Sequence, residues 1–127
     1  MRLNTHLGIS SEWVGEAVSL SAGCAVAQLK TRPEMVVDDM GLVHGGFTFG
    51  LADYAAMLAV NDPCVVLGSV EAKFIAPVKI GDVLVAKAEV IEERGKKSQV
   101  KCSVSTSQLV FEGMFTCFVL QKHILQN

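Results

Sequence analysis

Apolar and polar residues alternate along the second half of the chain, a pattern that predicts half-buried β-strands. The clearest run is "VLVAKAEVIE", residues 83–92, whose predicted inner face carries Leu84, Ala86, Ala88 and Val90. A second run, residues 98–106, repeats the pattern with Val100, Cys102 and Val104 inward. The polar connector between them, residues 93–97, contains a glycine, so we expect the two runs to pair as an antiparallel hairpin.

Three further runs extend the predicted sheet. Residues 65–77 alternate, with Val70, Ala72 and Phe74 on one face, and residues 109–122 are rich in Phe, Val and Thr. Gly113 within the latter run predicts a bulge or bend. Residues 22–31 can form one more strand, after a segment, "LNTHLGIS", that fits a short helix or a loop. The predicted order is therefore strand, helix, then a meander of four strands.

One helix is predicted, from about residue 46 to residue 60, and it has almost no polar face. A helix that is apolar all round is a buried helix. In a chain of 127 residues it is buried most simply by wrapping a curved antiparallel sheet around it. We therefore predict an α+β fold with the helix as its filling, in a single domain over residues 1–127.

Composition and charge narrow the function classes. The chain is 50% apolar and 19% charged, as expected of a soluble globular protein. It has no apolar stretch of the roughly 18 residues that a membrane span needs, and its N-terminus lacks the apolar core of a secretory signal, so we expect no membrane insertion and a cytoplasmic protein. The net charge of −2 provides no basic surface for nucleic acid.

Cysteine spacing and the basic residues add little chemistry. The four cysteines are widely separated and form no C-x-x-C pair, so we expect reduced, packing cysteines and no metal site. The densest basic run is Arg94, Gly95, Lys96 and Lys97. We interpret it as a hairpin turn with solvated charges, and a contact to a ligand phosphate is the alternative.

A carboxylate inside the apolar helix is the feature that needs an explanation. Asp53 lies seven residues beyond Gly46, on nearly the same helix face but about 10 Å further along the axis. Free N–H groups collect at the helix start, Gly45 and Gly46, where they can stabilise a developing oxyanion. If the carboxylate and these N–H groups serve one reaction, a second copy of the helix must run antiparallel beside the first, which predicts a two-fold dimer with two sites.

Simpler interpretations stand beside this one. His44 and the two glycines can be only a turn into the helix, with the histidine as a hydrogen-bonded structural residue. Asp53 can be a structural carboxylate paired with a lysine or a histidine ring. Together, a glycine-lined helix start and a lone carboxylate on an apolar helix favour an active site.

The stretch "GLVHGGFTFGLADYAAMLAVN" resembles the His-Gly-Gly-x6-Asp motif of hotdog-fold acyl-CoA thioesterases, in the branch of the phenylacetate-pathway and 4-hydroxybenzoyl-CoA thioesterases. "KFIAPVKIGDVLVAKAEV" is similar to the strand, proline, turn and strand that follow in that superfamily. The resemblance covers roughly residues 20–120. It implies a hotdog fold, hydrolysis of acyl-CoA, and a homodimer with sites at the subunit interface, often paired into a homotetramer.

The resemblance also implies roles for individual residues. Asp53 would be the general base or the nucleophile, the Gly45 N–H would polarise the thioester carbonyl, and His44 would orient the acyl group. Gly46 would open the helix beside the substrate. No separate cofactor is implied, since coenzyme A is part of the substrate.

Two positions depart from the family pattern. Many relatives carry an amide six residues before the histidine, where this chain has Asp38, which can position water, raise the pKa of Asp53 by repulsion, or simply face solvent. Some relatives place a hydroxyl one turn after the carboxylate, where this chain has Met57. Met57 argues for an apolar acyl pocket.

Two other functions fit the same fold. A dehydratase or hydratase of hydroxyacyl thioesters usually carries its histidine in a different local pattern, which does not occur around His44. A non-catalytic acyl-CoA sensor is the second alternative, since some transcription factors bind malonyl-CoA with this fold. We expect a sensor of that kind to need a DNA-binding module, for which the sequence has no basic segment.

Overall fold

The computed structural model describes residues 1–126. Within them the chain forms one α-helix and six β-strands. A short 3-10 helix, Pro33–Met35, precedes the α-helix. In chain order the main elements are β1 Glu16–Ser21, β2 Cys24–Lys30, α1 Gly45–Val60, β3 Val65–Phe74, β4 Val83–Arg94, β5 Lys97–Ser105 and β6 Leu109–Val119.

The strands form a single antiparallel sheet in the order β1-β2-β4-β5-β6-β3. The prediction of a simple four-strand meander is wrong at β3, which pairs with β6 and not with β4. The reason lies in the connection after β3. Its residues Val78 and Ile80 bond to the segment before the helix, with Val43 N–H donating to the Val78 carbonyl at 2.8 Å. The chain therefore runs from the sheet edge at β3 to the position between β2 and β5 before β4 begins.

The predicted strand faces are largely confirmed. The inner residues of β4 and β5 are buried or half-buried, and these two strands form the expected hairpin around a two-residue turn at Gly95 and Lys96. Gly95 has φ +62°, a conformation that favours glycine. The connector is shorter than predicted because both strands continue to Arg94 and Lys97.

The prediction of a bulge at Gly113 is wrong. Gly113 pairs in register with Ala72 on one side and Cys102 on the other. A Cβ at this position would lie 3.2 Å from the Ala72 Cβ and from the Glu71 carbonyl oxygen. The close approach of the neighbouring strand leaves no room for a side chain here, which accounts for the glycine.

The helix is buried as predicted. Nine of its residues are buried, and the sheet covers it mainly with β4, β2 and β5. Its C-terminus is closed by Asn61, which adopts φ +54° and donates its N–H to the Met57 carbonyl. No helix in residues 1–126 is long and apolar enough to cross a bilayer.

The N-terminal region departs from expectation in one way, since β1 was not predicted at all. Of the two structures expected for the "LNTHLGIS" segment, a short helix or a loop, the loop is the one found. β1 alternates weakly because most of its side chains are exposed. We call residues 1–10 the N-terminal arm. The arm is tied to the helix C-terminus, since Asn4 N–H donates to Asn61 Oδ1 at 2.8 Å and Asn61 Nδ2 donates to the Arg2 carbonyl at 2.9 Å.

Candidate active site

Asp53 lies in the middle of the buried helix, and its carboxylate is only partly compensated. Its Oδ1 atom is buried and has no hydrogen-bond partner within residues 1–126. Burial raises the pKa of Asp53 because desolvation disfavours the charged form, and the nearby His6 lowers it in part. A buried oxygen without a donor is costly and rare in a purely structural role, so this atom marks a position where a ligand or water is expected.

The structure gives no support to a structural ion pair at Asp53. Both ion pairs found among residues 1–126 belong to Arg32, which lies 3.7 Å from Glu12 and 4.0 Å from Glu34. These groups are substantially exposed. The lysine partner considered for Asp53 is therefore not found in the described part of the chain.

The helix start is organised by His44. Its backbone is extended, and its Nδ1 accepts a hydrogen bond from the Gly46 N–H at 2.8 Å, which makes it the N-cap of the helix. Phe47 N–H is also satisfied, by the His44 carbonyl at 3.1 Å. The Gly45 N–H, in contrast, donates to no acceptor among residues 1–126. Of the two glycine donors, Gly45 is thus the one left free for a ligand.

The space beside Gly45 is an apolar groove of about 360 Å³. Its lining is Leu42, Val43, Gly45, Thr48, Phe74, Ile75, Ala76, Pro77, Val78 and Val110. The Phe74 ring forms one wall, and a Cβ on Gly45 would lie 3.1 Å from it. Glycine at this position keeps the backbone N–H accessible from the groove.

Asp53 and Gly45 do not meet within one chain. Eight residues separate them in the same helix, which at 1.5 Å per residue is about 12 Å along the axis. The two groups are therefore too far apart along the helix to act on one substrate atom within a single chain. The dimer that would join them remains a prediction.

The remaining predicted site residues have distinct positions. Asp38 is exposed, and its Oδ1 accepts the N–H groups of Met40 at 3.0 Å and Leu42 at 3.2 Å. Its carboxylate therefore shapes the loop before the helix, and it is not a charge that shifts the pKa of Asp53 in the protomer. Met57 is 1% exposed inside the core and lines no surface of the protomer.

His6 is the residue of this region that the sequence did not indicate. Its ring packs against Tyr54, with centroids 6.2 Å apart. Burial lowers the pKa of His6, and Asp53 raises it in part. No sequence signal could have found this residue, because 47 positions separate it from Asp53 and the arm carries no motif.

A long helix packed against a six-stranded antiparallel sheet is the hotdog fold. The chain belongs to the thioesterase superfamily, whose family profile matches residues 40–110. The resemblance noted in the sequence is therefore confirmed at the level of family and fold.

Solved structures agree with this assignment. An uncharacterized protein from Pyrococcus horikoshii, PH1136, is 54% identical, with a TM-score of 0.98 over 99% of this chain and 98% of that one. A hypothetical thioesterase from Streptococcus pneumoniae, solved with coenzyme A, is 20% identical, with a TM-score of 0.78 over 89% and 91% of the two chains. At that identity the second likeness shows the fold alone.

Curated relatives are longer than this chain. A methylthioribose-1-phosphate isomerase from Aquifex aeolicus is 50% identical over 94% of the chain, which spans only 27% of that protein. The transcription factor FapR of Caldanaerobacter subterraneus is 32% identical over 99% of the chain and 63% of its own length. The chain therefore spans about a quarter of the first of these proteins and less than two thirds of the second.

Proposed function

We propose that the protein is an acyl-CoA thioesterase that hydrolyses small to medium or aromatic acyl-CoA. Asp53 acts as general base or nucleophile, and the Gly45 N–H of a second subunit acts as oxyanion donor. Two features of one helix carry the proposal. A buried oxygen of Asp53 has no hydrogen-bond partner among residues 1–126, and the N–H of Gly45 at the glycine-lined helix start has none either. Membership of the thioesterase superfamily supports it.

The chemistry follows from these two groups. When water attacks the thioester carbon, the Asp53 carboxylate takes one proton from the water and the carbonyl oxygen gains negative charge. A fixed N–H donor in a dry groove stabilises that charge. The carbon–sulfur bond then breaks, and the CoA sulfur receives a proton. Direct attack by Asp53 would instead form an acyl anhydride that water hydrolyses in a second step.

The edge strand β3 supports a two-fold dimer. It pairs only with β6 within the described residues, so one side of its backbone is free. Ala72 and Phe74, which share one predicted strand face, are exposed, with Phe74 at 60%. Unpaired edges with apolar side chains favour association with another strand, and Phe74 also forms the wall of the groove at Gly45.

A spectrophotometric panel of short, medium, long and aromatic acyl-CoA substrates tests the activity. We expect wild-type turnover on at least one class, and loss of most of it in Asp53→Asn. Asp62→Asn is a matched control, because Asp62 lies beyond the helix and its carboxylate caps the loop at Cys64. Turnover of Asp53→Asn equal to that of the wild type would rule out the assigned role.

An acyl-CoA-binding sensor is the second function, and the match to a transcription factor favours it. Calorimetry separates the two functions. A sensor binds acyl-CoA without turnover in the wild type, whereas a thioesterase releases free CoA during the titration.

A further inference from the structure

We propose that a basic cavity lined by Lys96 and by the chain after β6, which we call the tail cavity, binds the phosphate groups of the coenzyme A nucleotide. The inference rests on the proposed function and deepens it, because it assigns the end of the substrate that is remote from the thioester. The cavity has a volume of about 580 Å³, against about 360 Å³ for the groove at Gly45. Lys122 and His123 are the basic residues that face Lys96 across it.

Backbone hydrogen bonds join the two walls of the tail cavity. Val119 N–H, at the end of β6, donates to the Lys96 carbonyl in the hairpin turn at 2.8 Å. Beyond this bond the chain closes a turn, in which Gln126 N–H donates to the His123 carbonyl at 2.9 Å and His123 N–H donates to Gln126 Oε1 at 3.0 Å. The basic side chains are therefore attached to two segments that the fold holds together.

His123 contributes a hydrogen-bond donor of fixed identity. Its Nδ1 accepts the Leu125 N–H at 3.0 Å. A ring nitrogen that accepts a hydrogen bond carries no proton, so the proton of the neutral ring is on Nε2. The Nε2–H donates to no acceptor among residues 1–126. It is therefore available to an anion in the cavity.

The positive charges at this end of the sheet have no carboxylate partners in the described part of the chain. No acidic residue lines the cavity, and both ion pairs within residues 1–126 involve Arg32. Arg94 and Lys97 stand directly opposite each other at the end of the hairpin, where like charges are destabilising. Glu92 and Glu93 precede them on β4 and form no ion pair with them. A bound anion would compensate this cluster.

A phosphate group fits the chemistry of these donors. Lysine ammonium groups bind phosphate oxygens as point charges, and an imidazole N–H adds a directed hydrogen bond. Coenzyme A carries its phosphates on the nucleotide, at the far end of the pantetheine arm from the thioester. The apolar groove at Gly45 suits the acyl end of that substrate, and the tail cavity suits its charged end.

The tail cavity and the groove lie at opposite ends of β3. Val65, at the start of the strand, pairs with Val119 beside the tail cavity, while Phe74, at its end, forms a wall of the groove. The strand has 10 residues, which span about 30 Å. In the proposed two-fold dimer the two copies of β3 run antiparallel, so the tail cavity of one subunit lies at the same end as the groove of the other. One coenzyme A molecule then spans both subunits.

The test is isothermal titration calorimetry with adenosine 3′,5′-bisphosphate, which keeps the 3′-phosphate of coenzyme A and has no thioester. We expect it to bind the wild type, and Lys96→Gln and Lys122→Gln each to weaken binding roughly tenfold, because each removes a charge-assisted contact. Lys30→Gln is the matched control, since Lys30 is exposed and pairs with Val83 at the opposite end of β4 from Lys96. Wild-type affinity in either cavity variant, equal affinity for inorganic phosphate, or no binding to the wild type overturns the inference.

Hydrolysis assays keep this inference separate from the proposed function. An acyl thioester of N-acetylcysteamine has the reacting bond but no phosphate. The preference for acyl-CoA over this truncated substrate, as a ratio of kcat/KM values, should fall in Lys96→Gln and Lys122→Gln and stay at the wild-type value in Lys30→Gln. An unchanged ratio in the cavity variants of an active enzyme would remove the tail cavity from substrate binding and leave the roles of Asp53 and Gly45 intact. If no acyl-CoA is hydrolysed, the thioesterase proposal fails, while calorimetry still decides whether the cavity binds the nucleotide.

Discussion

At the level of single residues, Asp53 is unfavourable for the fold in its ionised form. Burial raises its pKa above the value in the unfolded chain, so the folded state favours the protonated acid. The contribution of Asp53 to stability is therefore fully present in acid and is lost as the pH rises through the raised pKa. Such a penalty is typical of functional sites, where stability is exchanged for reactivity.

Asp53→Asn should consequently be less active and more stable. Loss of a general base lowers kcat by about 100-fold to 10,000-fold, while a neutral amide avoids the cost of burying a charge. We expect a higher melting temperature than wild type at neutral pH, by differential scanning calorimetry, with the gain vanishing in acid. A variant that is less stable than wild type at neutral pH would contradict the assignment of a buried, unpaired carboxylate.

His44 has a structural role that can be separated from a catalytic one. His44→Ala removes the cap on Gly46 N–H and should cost about 1 kcal/mol of unfolding free energy. His44→Asn keeps a capping side chain and should recover most of that stability in urea denaturation. We expect a milder loss of turnover in His44→Ala than in Asp53→Asn. Equal stability of the Ala and Asn variants would show that the cap contributes little.

At the level of elements, β1 depends on a glycine that the hydrophobic pattern does not show. Gly15 has φ +142°, and a Cβ there would lie 2.6 Å from the Leu51 Cδ1 and 2.9 Å from the Gln28 carbonyl oxygen. The turn into β1 therefore packs directly against the helix and against β2. A side chain at this position would push β1 away from both.

Gly15→Ala should destabilise the protein by roughly 1–3 kcal/mol, because overpacking and an unfavourable φ act together. Gly8→Ala is the control, since its Cβ would meet no atom within 4 Å. Urea unfolding followed by circular dichroism measures both. The element-level account is wrong if the two variants unfold at the same urea concentration.

At the level of the whole molecule, the site is predicted to form only between two chains. A subunit with Asp53→Asn and a subunit with Gly45→Val are each expected to be inactive as homodimers. In a mixed dimer, one site combines the intact Asp53 of one chain with the intact Gly45 of the other. Random pairing of equal amounts should restore about a quarter of the wild-type activity.

Co-expression with two affinity tags, followed by the hydrolysis assay, measures this recovery. Because Val at position 45 would press on the Phe74 ring, Gly45→Ala is a second, milder partner, and circular dichroism checks that each variant is folded. An inactive mixed dimer made of folded subunits would place the site within one chain. A strict monomer by analytical ultracentrifugation would remove the basis for the shared site.

The hydrophobic pattern by itself determined the buried helix, the inward faces of β4 and β5, and the positions of Gly45 and Asp53 in the helix, because these depend on local periodicity. The sequence also contains the His-Gly-Gly-x6-Asp motif by which the family was recognised. Only the tertiary structure decided that β3 pairs with β6, that Gly113 relieves a close contact, and that the His6 ring packs against Tyr54. These features depend on contacts between residues far apart in the chain, for which spacing along the sequence provides no measure.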